Sequence, residues 1–154
     1  MTRHIRTEIE IAASADRVWQ ILTDFTSYPE WNPFITRIAG QLAVGSRLDA
    51  FLQPPGSRGI GFKPTVVALV PGRELQWLGK LLSRGVFDGE HSFRIEPLTQ
   101  ERVRFIQEER FSGILTFPPL FRVLTNGTQE GFTAMNQALK QRAEAPEHPG
   151  PHPN

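Results

Sequence analysis

The chain has 154 residues, a formal net charge of +1 and no cysteine. That length suits one domain with a real core and is too short for two ordinary ones. The missing cysteines exclude disulfides, thiolate metal sites and a cysteine nucleophile, no basic run is long enough to track phosphates, and no apolar run approaches a membrane span.

Met1 to Glu10 carries charges throughout and lacks the apolar stretch of a signal peptide, so a cytoplasmic protein is expected, with no nucleic-acid partner and no integral membrane segment. From His4 to Ile11 the residues alternate. Ile5, Thr7, Ile9 and Ile11 share one face, and His4, Arg6, Glu8 and Glu10 the other, which reads as a half-buried strand. Ser14 fits a helix N-cap and Asp16 complements the positive end of the helix dipole. Val18, Leu22 and Phe25 then recur at helical spacing, widened by Trp19 and Ile21. Tyr28-Pro29 stops this helix. The segment from Ser27 to Phe34 reads as a compact turn or a short second helix.

Strands follow. Phe34 to Ala39 and Ser46 to Leu52 flank a turn at Val44-Gly45, and Gln53 to Gly61 is a Gly/Pro loop. Phe62 to Val70 and Arg73 to Leu81 flank Pro71-Gly72, a pair that suits a type II turn. Val86 to Glu96 and Arg102 to Phe111 alternate along their length and are joined by Pro97-Leu98-Thr99-Gln100. Consecutive hairpins imply an antiparallel meander. The last element is a helix from about Pro118 to Ala143. On it Leu120, Leu124, Gly127, Gly131, Met135 and Ala138 share a face. Each interior glycine costs a helix roughly 1 kcal/mol relative to alanine. Two of them one turn apart require either close backbone packing or space kept for a ligand. Ala145 to Asn154 holds four prolines and two histidines in ten residues and reads as a disordered tail after a domain spanning 1–144. The fold class is α+β: a curved antiparallel sheet of about six or seven strands around a long C-terminal helix, with two short helices after the first strand.

Four stretches carry a family likeness. They are Ile9-Glu10-Ile11-Ala12-Ala13-Ser14-Ala15-Asp16-Arg17-Val18-Trp19, Tyr28-Pro29-Glu30-Trp31-Asn32-Pro33-Phe34, Phe87-Asp88-Gly89-Glu90-His91-Ser92-Phe93 and Glu109-Arg110-Phe111-Ser112-Gly113. With the last helix they span about Arg6 to Ala143 and resemble the START/Bet v 1-like (SRPBCC) superfamily, in its polyketide cyclase/dehydrase-like branch. The resemblance implies a helix-grip pocket. It leaves function open, since the superfamily holds lipid carriers, hormone receptors, aromatic cyclases and chaperone cofactors; what enters the pocket must come from the site.

His91 shares a face with Phe87, Phe93 and Ile95, so it is expected inside, as a general acid or base or as a hydrogen-bonded structural histidine. Glu109 and Gln107 share a face with Val103, Phe105 and Phe111, and an inward carboxylate is costly unless paired. Counting back from the Pro97–Gln100 turn sets position 91 against 106 or 107, which leaves His91 and Glu109 adjacent or diagonal. Trp77 lies beside Gly79, whose missing side chain suits a flat ligand or a sheet bend. The resemblance puts Trp31 at the pocket mouth, as a lid or a core plug. The expected pocket set is thus Trp31, Trp77, Gly79, Phe87, Phe93, Phe105, Gln107, Phe111, Gly127, Gly131 and Met135, around the candidate catalytic pair His91 and Glu109. No zinc pattern is present, and Gly59-Ile60-Gly61 lacks the lysine of a phosphate loop, so no metal or cofactor is expected. Three functions fit. The first is a carrier for a small apolar or aromatic molecule, lipid- or polyketide-like. The second is a polyketide cyclase/dehydratase-type enzyme in which His91 and Glu109 shuttle protons. The third is an interaction module like the chaperone cofactors of this fold.

Overall fold

The computed structural model describes residues 3–81, 87–113 and 118–146, with side chains for all of these but 81, 87 and 118–126. Strand β1 (Arg3–Ile11) buries Ile5 and Ile11 and exposes His4, Arg6, Glu8 and Glu10, as its alternation requires. The Ser14 hydroxyl then accepts from the Arg17 amide at 3.2 Å. This opens helix α1 (Ala15–Thr23), which turns Val18, Ile21 and Leu22 into the core. A 3-10 turn (Phe25–Ser27) leads to the single-turn helix α2 (Tyr28–Trp31), with Pro29 in its first turn where no N–H is needed. Tyr28 is fully buried and donates its hydroxyl hydrogen to the Leu22 carbonyl. Asn32 turns the chain into strand β2 (Ile35–Ala39): its Oδ1 accepts from the amides of Phe34 and Ile35 at 3.0 and 2.9 Å.

The strands form two sheets, where a single curved sheet was expected. One is three-stranded, in the order β2, β3 (Asp49–Leu52), β4 (Ile60–Phe62). The other is five-stranded, in the order β1, β8 (Arg102–Ser112), β7 (Phe87–Thr99), β6 (Glu74–Leu81), β5 (Thr65–Val70). The strand expected over Phe62 to Val70 breaks at Lys63-Pro64, since proline has no N–H for a ladder. β4 therefore stays with β3 while β5 joins β6. Short contacts stitch the sheets at the break: the Leu48 amide donates to the Pro64 carbonyl at 2.8 Å, and the Val66 amide to the Ser46 carbonyl at 2.9 Å.

The hairpin at Pro71-Gly72 closes as expected, with Gly72 at φ +75° and the Arg73 amide on the Val70 carbonyl at 2.9 Å. The β7–β8 hairpin corrects the expected register. β7 runs through Pro97 to Thr99, an irregularity there absorbs the proline, and Thr99 faces Arg102 across a turn at Gln100-Glu101. His91 is consequently directly opposite Glu109, and Gln107 is opposite Phe93.

Helix α3 (Pro118–Glu144) lies against β1 and α1 and buries Phe132, Met135, Leu139 and Ala143. Its glycines answer to packing and leave no empty space. The Phe34 ring occupies the place of a Gly131 side chain, and Pro54 Cβ lies 3.1 Å from where a Gly127 Cβ would stand. Among the described residues no helix is long and apolar enough to cross a membrane.

Candidate functional site

Cross-strand rows on the inner face of the five-stranded sheet build the site. Leu75, Phe93, Gln107 and Thr7 form one row, Trp77, His91, Glu109 and Ile5 the next, and Gly79, Gly89 and Phe111 the third. Apolar residues dominate these rows, so each polar side chain in them must find its partner inside. They do so in series. His91 Nδ1 lies 3.2 Å from Glu109 Oε2, and His91 Nε2 lies 3.1 Å from Gln107 Oε1. Gln107 Nε2 donates to Asn136 Oδ1 at 2.6 Å and reaches the Phe132 carbonyl at 3.4 Å, while Asn136 Nδ2 donates to Thr7 Oγ1 at 3.0 Å. This chain of polar groups ties β7, β8, β1 and α3 together through the core.

Aromatic rings enclose the imidazole. Phe93 stacks on it with centroids 4.1 Å apart, Phe132 of α3 lies at 4.7 Å, and Trp77 meets it edge-on at 5.4 Å. Burial among these rings disfavours charge on both members of the pair. It lowers the His91 pKa to about 3 against the opposing hydrogen bond from Gln107, and raises that of Glu109 to about 8, with the Glu90 carboxylate adding to the rise. At neutral pH the pair is therefore a neutral imidazole facing a carboxylic acid, sharing one proton, although its 3.2 Å spacing would also suit an ion pair.

A cavity of about 200 Å³ opens over this pair. Its floor is Trp77, Gly79, Lys80, Gly89, His91, Glu109 and Phe111 of the large sheet. Phe34 and the β3–β4 residues Leu52, Pro54, Ile60 and Phe62 form one wall, and Thr128 and Phe132 of α3 the other. Gly89 has a specific duty: a Cβ there would stand 2.5 Å from Glu109 Oε1, so its absence makes room for the carboxyl. At Gly79 a Cβ would meet the Phe62 ring at an ordinary contact distance of 3.4 Å. Among the described residues no group of three or more histidine and acidic side chains is gathered to hold a metal ion.

Of the residues expected at the pocket from sequence, Trp77, Gly79, His91, Glu109 and Phe111 line this cavity. Phe93, Phe105 and Met135 lie in the core beside it, and Gln107 reaches the cavity only through His91. Gly127 and Gly131 are packed against Pro54 and Phe34. Trp31 faces elsewhere: it stands edge-on to Tyr28 at 5.1 Å and borders a polar groove with Arg17, Asp24, Glu30 and Arg142. Phe87 opens β7, but its side chain falls outside the described ones. Sequence reasoning missed Phe34, Phe62, Gly89, Phe132 and Asn136. Asn136 had a readable signal, as a polar residue four positions after Phe132 on the buried side of the helix. Thr7, its partner, sits on the apolar face of β1.

The family model described as polyketide cyclase / dehydrase and lipid transport matches residues 2–144. No curated protein matches the chain. Among solved structures, the Zhui aromatase/cyclase from a Streptomyces species superposes with a TM-score of 0.76 at 18% identity, over 94% of each chain. A START superfamily protein from Mycobacterium smegmatis gives a TM-score of 0.72 at 23% identity, over 92% of this chain and 97% of that one. Norcoclaurine synthase from Thalictrum flavum, in truncated form, gives 0.69 at 18% identity, over 96% of each. At these identities the likeness establishes the helix-grip fold.

Proposed function

Because the chain belongs to the polyketide cyclase / dehydrase and lipid transport family, we propose that it binds a compact ring compound in the cavity between the two sheets and α3. The observation that carries this reading is the cavity itself: about 200 Å³, walled by Phe34, Phe62, Trp77, Phe111 and Phe132 around a small polar cluster. Apolar walls with a few placed polar groups are the usual composition of a ligand site. A dry cavity of about 150 Å³ accepts a benzene, so this one suits one or two fused rings better than a long chain. The test is calorimetric titration of the full chain with naphthalene, together with Thr128→Trp, which puts an indole into the cavity from the helix side. One-to-one binding lost in the variant is expected. Absence of binding to the unmodified chain, or unchanged binding to the folded variant, would refute the proposal.

A second reading, an enzyme moving protons on that ligand, is favoured by the His91–Glu109 pair. Two titratable groups driven in opposite directions by burial, beside a cavity, are the raw material of acid–base catalysis. Conversion of a member of a hydroxylated-ring substrate panel, lost in His91→Ala with binding retained, would establish it. Equal conversion by the variant would remove it.

A further inference from the structure

The polar chain around His91 has a direction, and that direction states what the cavity asks of its ligand. A backbone carbonyl only accepts hydrogen bonds and an amide nitrogen only donates them. The Phe132 carbonyl therefore orients the Gln107 amide, with Nε2 toward the helix and Oε1 toward His91. Since Oε1 only accepts, His91 Nε2 must carry a hydrogen. In a neutral ring the other nitrogen, Nδ1, is then a lone pair, and it lies 3.2 Å from Glu109 Oε2. Two facing lone pairs repel, so a proton sits between these atoms, held by either one. In both arrangements the second carboxyl oxygen, Oε1, is left without a proton. It is the oxygen that occupies the space over Gly89, on the cavity floor. Among the described residues no donor bonds to it. That oxygen is open to the cavity, where a ligand hydrogen can reach it.

We propose that the cavity selects ring compounds bearing a hydroxyl group, a phenol or an enol, whose O–H donates to Glu109 Oε1 above Gly89. This rests on the ring-sized cavity proposed above and adds the group the ring must carry. Glu109 is here a recognition group acting through an oxygen that does not hold its proton. The amide of glutamine reproduces the arrangement, with its N–H donating to His91 Nδ1 and its oxygen facing the cavity. Attraction to a negative carboxylate would not survive that replacement, whereas this geometry does.

The experiment titrates 2-naphthol, 2-methoxynaphthalene and naphthalene into the full chain, Glu109→Gln and Glu109→Leu, with circular dichroism to confirm folding. The unmodified chain is expected to bind 2-naphthol about ten-fold more tightly than the other two, the ratio one such hydrogen bond supplies. Glu109→Gln should keep the ratio and Glu109→Leu should bring it near one. Binding of naphthalene with no preference for the hydroxyl would overturn this inference alone. Failure of naphthalene and 2-naphthol to bind at all would overturn the cavity reading and this inference together. A preference lost in folded Glu109→Gln would also overturn the inference, so the test holds even if the leucine variant does not fold.

Discussion

Glu108 and Glu109 are neighbours on β8 with the same side chain, and the pleat points them to opposite faces of the sheet. Glu108 faces outward into a lattice of opposite charge, with Arg6 Nε at 3.0 Å and Arg94 Nη2 at 3.3 Å. Glu109 faces inward, where its polar partner is an imidazole enclosed by aromatic rings, and burial pushes its pKa up to about 8. The contrast shows that a nearby base does not by itself hold a carboxylate charged. The burial that makes ionised Glu109 costly also strips His91 of its ordinary affinity for a proton, so neither can pay the desolvation of the other. On the outer face the Arg6 and Arg94 side chains remain partly in water.

Breaking the inner chain should have the largest effect. Gln107→Leu removes at once the acceptor for His91 Nε2 and the donor to Asn136 and the Phe132 carbonyl. A loss of about 3 kcal/mol is expected from stranding buried polar groups. Urea denaturation measures it, and a change below about 1 kcal/mol would mean that water satisfies the chain instead.

Sharpening the contrast calls for pH. The folded Glu109 pKa lies above its unfolded value. The folded state therefore holds the extra proton between about 4.5 and 8, and the stability this confers is complete below that window and lost as pH rises through it. The folded His91 pKa lies below its unfolded value, so its contribution rises with pH between about 3 and 6.5. The two oppose each other until about pH 6.5, above which only the Glu109 loss remains. Between about pH 6.5 and 8 the unmodified chain should lose about 2 kcal/mol relative to Glu109→Gln. Parallel stability curves for the two proteins would show that Glu109 is charged in the fold. The smallest effect belongs to the outer face: Glu108→Gln should cost less than about 1 kcal/mol, and less still at high salt. A loss matching that of Gln107→Leu would erase the distinction between the faces.

The distinction itself was legible in the sequence. Strict alternation put His91, Gln107 and Glu109 among inward apolar residues, and the order of elements with the four family-like stretches led to the helix-grip fold. The pairing partner of His91 was not legible, because the position of a hairpin turn depends on how a strand absorbs a proline. Pro97 looked like the start of the turn and proved to lie within β7, opposite Val103, with the register shift just after it. The two-sheet division was hidden for a similar reason at Lys63-Pro64. Phe34, Pro54 and Phe62 escaped notice as cavity walls because they come from the bend before β2, the loop after β3 and a three-residue strand, with no periodicity to place them. The helix glycines were recognised as needing a reason, but choosing between packing and empty space required knowing that the Phe34 ring arrives at Gly131.

That last contact has a consequence for how the site can change over evolution or by design. Phe34 is both a wall of the cavity and a ring seated in the notch of α3, so moving it outward means lifting the helix. The same wall has a looser part. Among the described residues, the three-residue strand that holds Ile60 and Phe62 lies at the edge of the small sheet and pairs with β3 alone, and Ile60 is about half exposed. A lineage that needs a roomier chamber would trim that edge strand and leave the α3 notch alone. Ile60→Ala and Phe62→Ala are thus the natural first steps in refitting this scaffold for bulkier rings, while the Phe34–Gly131 joint is the fixed side against which any new guest is measured.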